Sequence, residues 1–184
     1  MNADRRAILR LAGTAVGASI AGCLGGGDPD DGDGPNDAET RLSGYDTAPL
    51  SARFSSPELD EDDEVGRVVV IDSEERERVV LDPYDPPEGR RNELGELLSG
   101  IDYERERLLL VESVGPNACH DRVEVDDVAV EDGLVRAGAT VVDTSEGDVG
   151  CAEAITYPSA LVRATFDGEP IDAAAVEITD GWGE

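Results

Sequence analysis

Apolar positions along this chain fall into short runs and strict alternations, and most of them predict β-strands. Residues 66–72 (GRVVVID) and 78–82 (RVVLD) read as two strands. Residues 107–113 (RLLLVES), with Leu108 to Val111 unbroken, read as a buried strand. Val123 and Val125 alternate with polar partners, and so do Val128 and Val130. The phase slips by one residue at Asp126 and Asp127, which predicts a bulge. After a turn at Gly133, Val135, Ala137, Ala139 and Val141 share one strand face. Ala160, Val162, Ala164 and Phe166 do the same, with Arg163 and Thr165 opposite, and residues 171–179 read as the last strand.

One segment has helical spacing. Leu94, Leu97 and Leu98 lie on one face, Asp85 is placed to cap the helix with Glu88 three residues on, and Gly100 can end it. The expectation is a mainly β (α+β) fold. It is a small antiparallel β-sandwich or half-barrel carrying one helix, after a disordered acidic linker.

The first fifty residues lack this pattern. Residues 1–22 have a charged start with Arg5 and Arg6, then a glycine-containing apolar stretch ending on small residues before Cys23. That stretch is too short for a span of about 20 apolar residues and fits an export signal. Residues 23–50, rich in Gly, Pro and Asp, read as a flexible linker. Residues 51–184 are then the β-rich domain. The segment Asp4 to Arg10 resembles the twin-arginine export motif, and Ile20 to Cys23 resembles a lipobox. Those resemblances imply lipidation of Cys23 and a protein anchored by lipid on the extracytoplasmic face of the cell membrane.

Charge narrows the setting. The 184 residues carry 43 Asp and Glu against 15 basic residues, a formal net charge of -28, and every basic residue is arginine. Such a surface repels itself over about 10 Å at 0.1 M salt but over only about 3 Å at 1 M, so the composition fits concentrated salt. It resembles the proteins of extremely halophilic archaea. It also argues against nucleic acid as a partner, since no basic patch is available for phosphates.

Candidate chemistry is sparse. With Cys23 lipidated, Cys119 and Cys151 are an even pair expected to form a disulfide. Blue copper needs two histidines, a cysteine and an axial methionine, whereas the chain has only His120 and Met1. A zinc site from Cys119, His120 and Cys151 lacks a fourth ligand, and neighbouring residues seldom face one ion. The Asp31 and Asp33 run puts Pro29 and Thr40 at key calcium-loop positions and fails that spacing. No cofactor or metal is therefore expected. No nucleophile elbow is present, and His120 is the one available base. Tyr157 and Pro158, beside Cys151, are the candidate binding loop.

From Ile101 onward the order of elements resembles the C-terminal domain of protease-complex-stabilising lipoproteins (PrcB-like). The matching features are Gly115 after a strand, a hairpin, and a C-x-x-x-x-T-x-P segment at Cys151, Thr156 and Pro158. Asn117, Ala118 and Cys119 depart from the family's glycine pair and aromatic residue. The resemblance implies a small β-rich, non-catalytic accessory domain on a lipoprotein, and the leading reading is a domain that binds or stabilises another cell-surface component. The alternative is an exported hydrolase that uses paired carboxylates on envelope glycans.

Overall fold

The structure is a computed structural model that describes residues 40–53, 66–84, 86, 88–145 and 150–180. Arg5, Arg6 and Cys23 lie outside them, as does the proposed cap Asp85. Seven strands and two helices follow in the order β1 (Leu42–Arg53), β2 (Gly66–Ile71), α1 (Glu74–Leu81), α2 (Arg91–Leu98), β3 (Glu106–Ser113), β4 (His120–Glu131), β5 (Leu134–Asp143), β6 (Tyr157–Phe166) and β7 (Ala174–Asp180). One 3-10 turn, Glu88–Arg90, leads into α2. The mainly β, sandwich-like α+β class expected from the pattern is the one observed. Among the described residues, no helix is long and apolar enough to cross a membrane.

Strands β1-β6-β3-β2 form an antiparallel sheet, and β4-β5-β7 form a second. The second sheet departs from the all-antiparallel expectation, because β7 runs parallel to β5. That pairing is open to it because β6 and the long connection that follows lie between the two strands in the chain.

Two apolar layers result. Leu109, Val111, Val123, Val135, Val141, Val162 and Phe166 fill the space between the sheets. On the other face of the larger sheet, Ala48, Leu50, Ile71, Leu108, Leu110 and Leu161 pack with Leu94 and Leu97 of α2. The central strands β3 and β6 are therefore covered twice, which is why RLLLV and ALV read as unbroken apolar runs.

The alternation of β4, β5 and β6 matches the predicted faces, and the register shift between Val125 and Asp127 is the predicted bulge. Asp132 and Gly133 both have positive φ, 53° and 75°, and make the two-residue turn between β4 and β5. Asp-Gly suits such a turn because the first residue tolerates that backbone region and glycine carries no Cβ.

Three expectations need correction. Residues 78–82 are not a strand but the end of α1 and its cap. The Ser73 hydroxyl accepts from the Arg76 backbone N–H, and Glu74, Glu75 and Glu77 face the positive end of the helix. Local capping outweighs the β preference of two valines, so the described residues hold two helices rather than one. The folded region begins before residue 51, because β1 pairs along β6 from Leu42. Gly44 and Pro49 hide that strand from a propensity reading, but β1 is an edge strand, where proline is tolerated. Finally, α2 starts at Arg91 with no side-chain cap, and β7 begins at Ala174.

Phe166 is fully buried between the sheets. Phe166→Ala is expected to cost about 3–5 kcal/mol, read as a lowered midpoint in denaturant unfolding at constant salt.

Candidate functional site

Strand β3 presents Glu106, Leu108, Leu110 and Glu112 toward the helices, so its leucine stripe is bracketed by two carboxylates. Both are buried, and Glu112 is fully so. A carboxylate in such a place must be neutralised and hydrogen-bonded.

At Glu112 this is done by three segments. Arg53 of β1 donates from Nη2 to Oε1 at 3.2 Å, and Arg67 of β2 donates from Nε to Oε2 at 2.5 Å. A second contact joins Arg67 Nη2 to Oε2. Tyr84, just after α1, donates its hydroxyl to Oε1. The Arg53 guanidinium also lies 4.3 Å from the Tyr84 ring centroid and donates to its hydroxyl at 3.3 Å. Burial, together with the bond to the Glu112 carboxylate, holds the Tyr84 hydroxyl well above the ordinary tyrosine range. Ser159 of β6 lies across from Glu112 in the sheet and is itself fully buried.

At Glu106 the partner is Arg163 of β6, which grips both carboxylate oxygens at 2.9 and 2.7 Å. The same guanidinium donates to the carbonyls of Leu97, Ser99 and Gly100, closing the C-terminal end of α2. The Asp102 N–H and the Thr165 hydroxyl complete the shell. Burial pushes the Glu106 carboxyl up, but the hydrogen bonds and charge of Arg163, with the Asp102 N–H, outweigh it and hold the group below its ordinary value of 4.5.

Glu106 and Glu112 stand six residues apart on one strand, about 20 Å at 3.3 Å per residue. Paired carboxylates of glycoside hydrolases are about 5–9.5 Å apart. These two buried acids are thus separate ion-pair centres and not one acid–base pair.

The cysteines meet as expected: Cys119 and Cys151 form a disulfide with Cα atoms 5.6 Å apart. Around it, Gly115 and Thr156 make a two-way backbone bridge, and the Thr156 hydroxyl donates to the His120 carbonyl at 2.6 Å. A Cβ at position 115 would strike the His120 carbonyl and Thr156 Oγ1, so this close approach requires glycine. His120 is buried, with Nδ1 3.0 Å from the Asn117 side-chain oxygen. Asp143 brings a carboxylate within 4.8 Å of both sulfurs, but bonded sulfurs offer no thiolates for a metal.

Tyr157 and Pro158 are not a loop. They are the first residues of β6, and both are buried, Tyr157 at 7% exposure. The hydroxyl of Thr156 and the disulfide fix the chain just before them, so β6 starts earlier than its alternation shows.

An open groove of about 450 Å³ runs between the edge strands β1 and β4, lined by Thr47, Pro49, Arg90, Glu93, Arg122 and Glu124. Arg90 and Arg122 also border the adjoining depression of about 260 Å³ near Thr156. The two arginines are matched by Glu93 and Glu124, and Arg122 Nη1 lies 3.6 Å from Glu124 Oε1. Sequence reasoning missed Arg53, Arg67, Tyr84 and Ser159. The available signal was Glu112 itself, a charge inside an otherwise apolar strand. No family model, curated protein or solved structure matches the chain.

Three outcomes are expected. Glu112→Ala leaves two guanidiniums short of their carboxylate and should cost about 3 kcal/mol, at the low end for a broken buried pair because both arginines keep some solvent. Glu106 stabilises the fold fully above about pH 4.5, and its contribution is lost as the pH falls through the depressed folded value. Acid titration of Glu106→Gln should therefore show a shallower loss of stability below pH 4.5 than the parent chain. Separately, replacing Cys119 and Cys151 by serine should remove about 3–4 kcal/mol in denaturant unfolding, the chain-entropy estimate for a loop of this length.

Proposed function

We propose that this chain is a membrane-anchored extracytoplasmic lipoprotein of a salt-loving organism, whose β-rich domain binds another cell-surface component without catalysing a reaction. The observation that carries the reading is the use of the three cysteines. Cys23 ends an export-type leader after Ile20, Ala21 and Gly22, and the other two, Cys119 and Cys151, are spent on each other. A disulfide of this kind suits an oxidising compartment outside the cytoplasm.

The accessory role draws support from two sides. Gly115 and Thr156, matching positions in the resemblance to protease-complex-stabilising lipoproteins, are bonded to each other and shape the turn before β6. The groove between β1 and β4 sets Arg90 and Arg122 beside Glu93 and Glu124, with Arg122 already paired to Glu124 at 3.6 Å, and so offers donors and acceptors of both signs to a hydrogen-bonding partner surface.

Expression of Cys23→Ala in a halophilic host tests the anchor. The variant should lose lipid label and move from the membrane fraction to the medium, while the parent chain stays with the membrane. Retention of an unlipidated Cys23→Ala chain in the membrane would overturn the anchor. In-cell cross-linking of the parent, compared with an Arg90→Glu and Arg122→Glu variant, tests the groove, and a cross-linked partner captured equally by both would place binding elsewhere.

A further inference from the structure

The Glu112 cluster holds more donors than acceptors. A carboxylate offers about four lone-pair sites. Here Oε1 takes Arg53 Nη2 and the Tyr84 hydroxyl, while Oε2 takes Nε and Nη2 of Arg67, and the four are filled. Two more donors stand beside them. Among the described residues, Arg53 Nε and Ser159 Oγ are both buried without a hydrogen-bond partner.

Register places both residues on the Glu112 face of the sheet. Ser159 lies directly opposite Glu112 across the β3–β6 pair and so shares its face of the sheet. Arg53 lies opposite Tyr157 across the β1–β6 pair, two residues along from Ser159, and its guanidinium reaches Glu112. Buried donors of this kind call for an acceptor.

We propose that Arg53 Nε and Ser159 Oγ form the donor pair of a site for a small monovalent anion of the halide class, seated against the Glu112 cluster. A halide only accepts hydrogen bonds. A water molecule would add two protons to surroundings where the carboxylate is already filled and only the Ser159 and Tyr84 hydroxyl oxygens keep lone pairs to accept them. One of the two donors sits on a cation, which favours a charged acceptor over a neutral one. Ser159 is fully buried and the Arg53 side chain is 21% exposed, so the approach suits a single spherical ion better than an oxyanion that keeps several oxygens to solvate. The proposal rests on this side-chain network alone and is independent of the cellular placement above.

Unfolding of the full chain in sodium chloride and in sodium methanesulfonate at matched ionic strength tests it. Chloride should raise the folding equilibrium constant specifically, by about tenfold at ten times its half-saturating concentration. Ser159→Ala, a small change that removes one orphan donor, should abolish that increment while keeping the common response to ionic strength. In crystals grown with bromide, an anomalous peak is expected within hydrogen-bond reach of Ser159 Oγ and Arg53 Nε. No chloride-specific increment in the parent, an increment that survives in Ser159→Ala, an equal increment from formate, or only a water at that position would each overturn the halide site.

Discussion

The burial of β3 on both faces is the constraint from which most of this structure follows. Its odd positions, Leu109 and Val111, pack between the sheets, and its even positions, Leu108 and Leu110, pack under α2. A strand so covered cannot carry a bare charge, yet it carries Glu106 and Glu112. Each is therefore met by arginine from a neighbouring element: Arg163 from β6 for the first, and Arg53 from β1 with Arg67 from β2 for the second. Replacing such a centre with apolar residues is often neutral or stabilising, whereas removing one partner is costly. The pairs thus act chiefly as a registry device, because a slip of one residue would place each glutamate on the wrong face of β3.

Arginine suits this task better than lysine would. Arg163 holds both oxygens of Glu106 and the carbonyls of Leu97, Ser99 and Gly100 at the end of α2, which takes a planar, multi-donor group. Arg107 likewise spans Asp172 and two backbone carbonyls. A chain with 15 arginines and 43 acids that commits several arginines to its own sheets leaves the surface still more acidic than its composition suggests. The internal pairs are shielded from salt by burial, while the surface repulsion is what salt screens. High salt can thus relieve the surface without dissolving the ties beneath it.

The sequence makes some of this legible and hides the rest for identifiable reasons. Strands β3 to β6 are readable because burial imposes a period of two, or an unbroken apolar run where both faces are covered. The bulge at Val125 is readable because it breaks that period by one residue. The strand β1 is hidden, since an edge strand accepts Gly44 and Pro49, which erase its propensity signal. Two valines in a strongly acidic, serine-capped segment misdirect the reading of α1, where cap and charge decide. The Glu112 centre is hidden for another reason: its members come from positions 53, 67, 84, 112 and 159, and only the sheet order makes them neighbours. Tyr157 and Pro158 read as a loop because the strand pattern of β6 becomes clear only from Ala160 onward.

The corner near Cys119 shows how two ties of different physical kind can secure one junction. It connects the end of β3 and the start of β6, in one sheet, with the start of β4 in the other. The Gly115–Thr156 bridge and the Thr156 bond to the His120 carbonyl act in the folded state, and they require a glycine at the point of contact. In the chain-entropy account, the disulfide acts mostly on the unfolded chain by closing a loop that contains the whole β4–β5 hairpin. Reduction would then lower stability without removing the contacts that define the corner, whereas a side chain at Gly115 would deform the corner while leaving the loop closed. The geometry of the junction therefore belongs to the glycine and the threonine, and its persistence to the cysteines.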